Sequence, residues 1–299
     1  MPDVPKSPAD IARWADWLEL SALEADDHDA SAGDFERALK ILTIGDSSDT
    51  SAQVFDEIHG REVSAVDAYP FESTGTVVAL RKTFPSDPAP YLFCLLLSYC
   101  GWQKKKGARF DPWLLFERLS CVAARSYVGG KVVQFGTSGR EGRGAKNVFK
   151  TQVQRLTAEI FEGEGYKQLP GVRAQDGRLD LVAWKPFPDR RGSQLLLFGQ
   201  CAAGANWEGS KLSELQPREG FWDNWLHDAA VSPLIRSYFV PHRIVEAGRW
   251  KHHARLGGIF FDRCRVALHT AGEAGKDVEK VFEDLRKSCS EHWGYRLPN

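Results

Sequence analysis

Apolar residues in the first 130 positions of the chain recur mostly at helical spacing. This pattern predicts amphipathic or buried helices over 11–20, 31–42, 54–59, 91–99 and 112–128. The last of these begins with Asp111 before Pro112 and stops at Gly129, which are typical start and stop signals of a helix. A β-branched run over 76–80 is typical of a short strand. The first 130 residues are therefore predicted to be mainly helical.

After residue 130, short apolar runs alternate with helical stretches. The pattern predicts helices over 148–161, 211–226 and 250–256, and strands over 166–172, 179–184, 194–202, 234–240 and 259–267. A polar turn joins the strands over 179–184 and 194–202, which predicts a hairpin. A doubly wound sheet would need a crossover helix between each pair of early strands, so the order favours an α/β fold with a mixed sheet flanked by helices.

The length of the chain, 299 residues, favours two domains because single hydrophobic cores stop growing near ~250 to 300 residues. We place them at 1–130, for recognition or partner binding, and at 131–299. The composition is 42% hydrophobic and 26% charged, as in ordinary globular proteins. The chain has no run of about 18 apolar residues and no secretory signal at its start, which indicates a cytoplasmic protein with no membrane partner.

Charge limits the classes of nucleic-acid contact that the chain can make. The net charge is −1, and the isoelectric point is 6.7. A protein that coats nucleic acid through its global field needs many Lys and Arg contacts to phosphate, so any contact here must be local. Candidate basic patches, each of which is more often a solvated loop, are Lys104–Lys106 with Arg109; Arg140, Arg143 and Lys146; and Lys185, Arg190 and Arg191.

Asp180 is the clearest candidate for chemistry, because it interrupts an apolar strand. A charge near a core is costly unless it is paired or binds a metal, although an exposed face of a half-buried strand would also accommodate it. Gln200 ends the next strand, and Lys211 follows eleven residues later. Two strands of a hairpin can hold an acid and an amide oxygen close enough to bind one divalent ion. Such an ion would activate water towards a phosphate, with a lysine stabilising the transition state.

The segments Gly165-Tyr166, 176–183 and 197–201 resemble the core of Mrr-type restriction endonucleases of the PD-(D/E)xK superfamily. In that family a helix ending in Gly-Tyr precedes the strand of the catalytic aspartate, and a later strand carries Gln-x-Lys or Glu-x-Lys. The match covers roughly residues 146–270. It implies a restriction-endonuclease-like mixed sheet and hydrolysis of phosphodiester bonds with Mg²⁺ or Mn²⁺, often in restriction or phage defence.

Carried over residue by residue, the resemblance makes Asp180 the metal-binding aspartate and Gln200 the second metal ligand. Ala202 stands where the family has its lysine, so Lys211 is the candidate for a migrated catalytic lysine. Glu159, on the helix before Gly165, is the candidate helix acid, although an ordinary surface glutamate would fit the same pattern. The candidate nucleic-acid contacts, with Trp207 stacking on bases, are Arg140, Arg143, Lys146, Lys185 and Trp207.

The leading expectation is a Mg²⁺-dependent endonuclease of bacterial restriction or anti-phage defence, acting on DNA rather than RNA. A partner protein of a defence system is expected, and a homodimer would suit double-strand cleavage. The alternative is a catalytically inactive nuclease-fold subunit that binds nucleic acid or scaffolds a defence complex, motivated by Ala202 and the neutral Gln200. A more remote alternative is an unrelated hydrolase with Cys201 as its nucleophile.

Overall fold

The computed structural model describes residues 2–7, 9–41, 48–102, 107–135, 145–167 and 178–298. Its first half is built from five helices: α1 (Ile11–Glu24), α2 (Ala32–Ile41), α3 (Ser48–Ala65), α4 (Ala89–Cys100) and α5 (Pro112–Val128). All five confirm the helices predicted there. The start of α5 is also as predicted, since the Asp111 carboxylate accepts the backbone N–H of Trp113 at 2.9 Å.

A small antiparallel sheet lies among these helices. Its strands are β1 (Asp29–Ser31), β2 (Phe71–Ser73) and β3 (Val77–Leu80), in the order β1-β3-β2. The third strand confirms the prediction over 76–80. The first two are only three residues long, which is too short for a periodic pattern to reveal.

A larger mixed sheet carries the second half of the chain. Its strands are β4 (Lys131–Gln134), β5 (Leu181–Lys185), β6 (Leu195–Cys201), β7 (Leu234–Phe239) and β8 (Ile259–Phe261), in that spatial order. β5 runs antiparallel to both β4 and β6, whereas β6, β7 and β8 are mutually parallel. The predicted hairpin is confirmed, because Val182 of β5 pairs with Phe198 of β6.

Helices cover both faces of this sheet: α6 (Ala145–Ile160), the short α7 (Asp223–Trp225), α8 (Ala247–Gly257), α9 (Arg263–Thr270) and α10 (Lys276–Trp293). Side chains alternate along each strand, so successive residues face opposite layers. Leu181 and Ala183 pack into the core that contains α5, whereas Val182 and Trp184 pack into the core that contains α6. The mixed α/β architecture predicted from the pattern is therefore present.

Three predicted elements differ from the structure. The strand predicted over 259–267 is wrong beyond Phe261, because the Asp262 side chain accepts the Arg265 N–H and starts α9 instead. The helix predicted over 211–226 is broken into a 3-10 turn (Gly209–Ser213), a π-helical turn (Pro217–Trp222) and α7, since Pro217 cannot donate the hydrogen bond of a continuous helix. Of the strand predicted over 166–172, Tyr166 forms a single bridge with Leu226, and 168–177 lie outside the described residues.

The hydrophobic core crosses the domain boundary placed at residue 130. Residues of α1, α3, α4 and α5 pack in one cluster with residues of α9 and α10, such as Val266 and Leu285. Among the described residues, the core shows no division at this boundary, because α10, which the sequence pattern did not predict, packs against α4 and α5. Over the same part of the chain, no helix combines the length and the apolar character needed to cross a membrane.

Candidate active site

Asp180 lies immediately before β5, where the sheet holds it from both sides. Its backbone N–H donates to the Gly199 carbonyl at 2.9 Å, and its carbonyl accepts the Phe135 N–H at 2.7 Å. The carboxylate Oδ2 accepts the backbone N–H of Cys201 at 2.7 Å. Asp180 is therefore fixed at the end of β6 by main-chain hydrogen bonds, and its carboxylate has little freedom to move.

Gln200 lies near Asp180 on the neighbouring strand. The antiparallel register begins at the pair Leu181 and Gly199, so Asp180, just before Leu181, and Gln200, just after Gly199, lie at the same end of the hairpin. Gln200 is only 6% exposed, and its Oε1 atom has no hydrogen-bond partner within the described part of the chain. A buried amide oxygen without a partner costs about 1–3 kcal/mol, and a bound cation would recover this cost, so the atom is a candidate metal ligand.

A cleft of about 270 Å³ opens beside the end of β6. Its walls come from the start of α5, from the loop after β6 and from the 3-10 turn that carries Lys211; the lining residues are Trp113, Phe116, Glu117, Arg178, Gln200, Cys201, Ala202, Ala203, Gly204, Lys211 and Glu214. The structure therefore brings Lys211 and Gln200 into one cleft. Arg178 forms a 3.2 Å ion pair with Glu214 on its wall, whereas Lys211 forms no ion pair with any described residue.

Glu117 is a buried acid on the wall of this cleft, and the sequence patterns did not single it out. It lies on α5 and is only 4% exposed. Burial raises the pKa of the Cys201 thiol, and the charges of Asp180 and Glu117 raise it further. The same two carboxylates act on the pKa of Cys121, one helical turn after Glu117. Glu117 and Asp180 are therefore close enough to place their charges on the same groups.

The environment of Cys201 also bears on the alternative in which its thiol is the nucleophile. A reactive cysteine needs a lowered pKa so that the thiolate forms near neutral pH. Burial and the two neighbouring carboxylates move the Cys201 pKa in the opposite direction, well above its ordinary value. The thiol stays protonated, which disfavours the nucleophilic role.

Glu159, the predicted helix acid, lies elsewhere. It belongs to α6, whose apolar residues pack on the face of the sheet opposite α5. Its carboxylate pairs with Lys131 at 3.2 Å and with Arg155 at 3.1 Å. Lys131 pairs with Trp184, at the end of β5 remote from Asp180. The structure therefore does not bring Glu159 to the cleft, and Glu117 of α5 supplies the acid there.

The predicted nucleic-acid contacts are not gathered at the cleft either. Trp207 is 5% exposed and stacks on His242 at 5.7 Å, so its ring belongs to the core. Lys185 is exposed, but it lies four residues along β5 from Leu181, about 13 Å away. Arg140 and Arg143 lie outside the described residues, as does the side chain of Lys146. Arg178 and Lys211 are the cations that line the cleft.

The donor atoms of the cleft suit one class of metal ion. Within the described ranges, no group of three or more His, Cys, Asp or Glu side chains is arranged to hold a metal. Glu117 and Gln200 on the cleft, with the Asp180 carboxylate that is bound to the Cys201 N–H beside it, instead offer two carboxylates and one amide oxygen. Oxygen donors without nitrogen or thiolate ligands fit the hard cations Mg²⁺ and Mn²⁺ rather than zinc.

Comparisons with protein-family models, with curated proteins and with solved structures gave no match for this chain. The resemblance of its motifs to a nuclease family therefore stays a prediction. What the protein does has to be inferred from the chemistry of the cleft.

Proposed function

We propose that this protein is a divalent-metal-dependent nuclease that hydrolyses phosphodiester bonds in DNA at the cleft beside β6. The observation that carries the proposal is that Asp180 is bound to the end of β6 by the Cys201 N–H, next to Gln200, while Gln200 and Lys211 line one cleft. The same placement supports a restriction-endonuclease-like sheet, since the resemblance implies an aspartate and a Gln-x-Lys position on neighbouring strands. A role in bacterial restriction or anti-phage defence follows from that resemblance.

Asp180, Glu117 and Gln200 are the residues that would hold Mg²⁺ or Mn²⁺. The orphaned Oε1 atom of Gln200 supports this choice, because a ligand would satisfy a buried acceptor that no described residue satisfies. A divalent ion bound there would polarise the phosphate and lower the pKa of an attacking water. The hydrogen bond from Cys201 fixes the Asp180 carboxylate in advance, so little reorganisation is needed on binding.

Lys211 takes the part that the family assigns to the lysine missing at Ala202. Its 3-10 turn follows the loop after β6, and this places the side chain on the cleft with Gln200. A cation there stabilises the negative charge that develops on the phosphate oxygens in the transition state. Arg178, on the same wall, orients the phosphate through its guanidinium.

A catalytically inactive nuclease fold that scaffolds a defence complex is the second candidate. Ala202 and the neutral Gln200 favour it, because they leave the metal ligands with one carboxylate fewer than a Glu-x-Lys motif supplies. Lys211 and Glu117 favour the active enzyme. Both line the cleft, where Lys211 supplies the cation missing at Ala202 and Glu117 supplies the carboxylate missing at Gln200.

A cleavage assay separates the two candidates. Purified protein is incubated with labelled DNA and RNA in Mg²⁺, in Mn²⁺ or in EDTA, and products are resolved on denaturing gels. We expect cleavage of DNA that requires the metal, and a loss of at least about 10²-fold in rate for Asp180→Asn and for Lys211→Ala. Glu159→Gln is the matched control, because it removes a carboxylate outside the cleft, and its rate should equal that of the wild type.

Two outcomes contradict the proposal. Metal-dependent cleavage that persists at the wild-type rate in Asp180→Asn would place the chemistry elsewhere. Absence of cleavage with every metal and substrate, together with stable binding of nucleic acid or of a co-purifying partner, would support the inactive scaffold instead.

A further inference from the structure

Trp113 differs from every other tryptophan of the chain in its exposure. All ten tryptophans lie in the described ranges, and nine of them are buried or half-buried. Trp113 is 39% exposed and lines the cleft that holds Gln200 and Lys211. Single exposed aromatic side chains are common on protein surfaces, so the feature that matters is the position of Trp113 on the wall of the cleft.

The ring of Trp113 is held in place although it is exposed. Its backbone N–H is bound by the Asp111 carboxylate at the start of α5. Its side chain packs edge-on against Trp102, with ring centroids 5.1 Å apart and planes at 71°. An edge-on contact orients the ring without covering both of its faces. Trp113 is therefore a rigid aromatic platform rather than a loose surface side chain.

The platform is close to the proposed chemistry. Trp113 precedes Glu117 by four residues on α5, so the two side chains lie on one helix face with Cβ atoms about 5–6 Å apart. The ring is thus one helical turn from a proposed metal ligand. A nucleotide whose phosphate reached Glu117 and Lys211 would bring its base, or that of its neighbour, to Trp113.

The charges around the cleft indicate whether ionic contacts to phosphate or stacking on a base would contribute more to the binding of nucleic acid. Arg178 and Lys211 are its cations, whereas Glu117 and Glu214 are its anions, so the lining residues carry no net positive charge. Duplex binding depends chiefly on several Lys and Arg contacts to phosphate. Stacking of an aromatic ring on an unpaired base contributes about as much per base as a good polar contact and needs no charge.

We infer that Trp113 stacks on an unpaired nucleobase next to the scissile phosphate, which makes single-stranded or locally unpaired DNA the substrate of this cleft. The inference rests on the proposed nuclease function. A base within a regular duplex has both faces covered by its neighbours, so an aromatic ring reaches a base face only when the base is unpaired or flipped out. The cleft, at about 270 Å³, is smaller than ordinary ligand pockets of ~300–1,000 Å³.

Binding measured without turnover tests the inference independently of catalysis. Three fluorescent oligonucleotides of one sequence are titrated in Ca²⁺: a single strand, a perfect duplex and a duplex with one unpaired base. The wild type should bind the single strand and the bulged duplex more tightly than the perfect duplex. Trp113→Ala should weaken those two complexes about 5- to 150-fold and leave the perfect duplex unchanged, whereas Trp113→Phe should retain most of the affinity.

Tyr127→Ala is the matched control. Tyr127 is an aromatic residue of the same helix with a similar exposure, 42%, but it packs against Phe261 and His269 rather than on the cleft. Its removal should leave all three affinities unchanged. Thermal unfolding of each variant shows whether the fold is retained. If Trp113→Ala does not fold, the preference of the wild type for unpaired over fully paired DNA still tests the inference.

The outcomes distinguish the inference from the proposed function. If Trp113→Ala binds each of the three oligonucleotides as tightly as the wild type does, the stacking role is overturned, even if the wild type cleaves DNA. Preference of the wild type for the perfect duplex would overturn it as well. Loss of single-strand binding in Trp113→Ala supports the stacking role, even where the cleavage assay finds an inactive enzyme.

Discussion

Two clusters of charged side chains lie inside this protein, and they differ in how their charges are matched. The first, here called the closed cluster, joins α1, α3 and the start of α9. Its carboxylates are Asp16, Glu19, Glu57 and Asp262, and its guanidinium groups are those of Arg61, Arg243 and Arg263. The second is the cleft beside β6.

Every carboxylate of the closed cluster lies within 2.9 Å of a guanidinium nitrogen. Arg61 is fully buried between Asp16, Glu19 and Glu57. Burial alone would raise the pKa of Asp16, but the charges of Arg263 and Arg61 outweigh it and lower that pKa. The hydroxyls of Tyr69 and Tyr91 donate to Glu19 at 2.8 and 2.9 Å.

The cleft is built differently. Lys211 on its wall forms no ion pair with a described residue, and the Gln200 Oε1 atom is buried without a hydrogen-bond partner in the described part of the chain. Buried atoms without a hydrogen-bond partner also occur in the closed cluster, at Glu19 Oε2, Arg61 Nη1 and two nitrogens of Arg263, so the contrast lies in the ion pairs. Glu19 Oε2 and Arg61 Nη1 lie 2.9 Å apart and neutralise each other's charge, whereas Lys211 has no such counter-charge among the described residues. This contrast is the physical reason for placing the site in the cleft.

Arg61→Met should produce the largest change in stability. It leaves Asp16, Glu19 and Glu57 buried with one fewer counter-charge, and breaking a buried ion pair costs about 3–5 kcal/mol. Urea denaturation measures the loss. The matched change in the cleft, Asp180→Asn, keeps an oxygen that accepts the Cys201 N–H and should alter the unfolding free energy by less than about 1 kcal/mol.

The reverse ranking would break the comparison. A change below about 1 kcal/mol for Arg61→Met would mean that the closed cluster is not needed for stability. A loss of several kcal/mol for Asp180→Asn would make the cleft a structural cluster too.

A smaller effect is expected from His242, which borders the closed cluster. Its Nδ1 atom lies 3.1 Å from the Ser98 hydroxyl, and its ring stacks on Trp207. Burial lowers the pKa of His242 from its ordinary 6.5 to about 4. The unfolded chain therefore binds this proton more readily than the folded one, so the contribution is complete above pH 6.5 and is lost as the pH falls towards 4.

The loss attributable to this histidine should be on the order of 2–3 kcal/mol. The loss is measured by urea unfolding of the wild type and of His242→Gln at pH 7.5 and at pH 4.5. Carboxylates titrate in both proteins, so the difference between the two losses is the contribution of His242. The wild type should lose more stability than the variant over this range. An equal loss in the two proteins would mean that His242 is not buried in its neutral form.

The hairpin that holds the site could be predicted from the sequence because its signal is local. Asp180 and Gln200 belong to two apolar runs joined by a polar turn, and the antiparallel register follows from that turn. Lys211 follows β6 closely in the chain, so its proximity could also be predicted. Side chains alternate between the two faces of a strand, so the residues that share one face of the sheet could be predicted as well.

Glu117 could not be placed in the same way, because it lies 63 residues before Asp180 in the sequence. Its helix was predicted correctly, but helical periodicity does not say which helix packs on which sheet. A signal was present: Glu117 falls between Trp113 and Cys121 at spacings of four, so an acid shares a helix face with apolar residues. The sequence favours Glu159 instead, because its helix directly precedes the Gly165-Tyr166 pair.

The boundary at residue 130 depended on the same kind of long-range packing. The apolar pattern does change at this point from helical to strand spacing, since β4 begins the large sheet at Lys131. The helices α9 and α10 nevertheless return to pack with α4 and α5. Pairing between distant helices leaves no periodic trace in a single sequence, so the common core became visible only in the structure.

The position of a bound divalent ion tests the central claim most directly. Crystals of the protein soaked in Mn²⁺ can be examined by anomalous scattering at the manganese edge. We predict an anomalous peak in the cleft that lies about 2.0–2.6 Å from its oxygen ligands, which are the carboxylates of Asp180 and Glu117 and the Oε1 atom of Gln200. A peak at another position, or no peak in this cleft at Mn²⁺ concentrations that support cleavage, would contradict the assignment of the site.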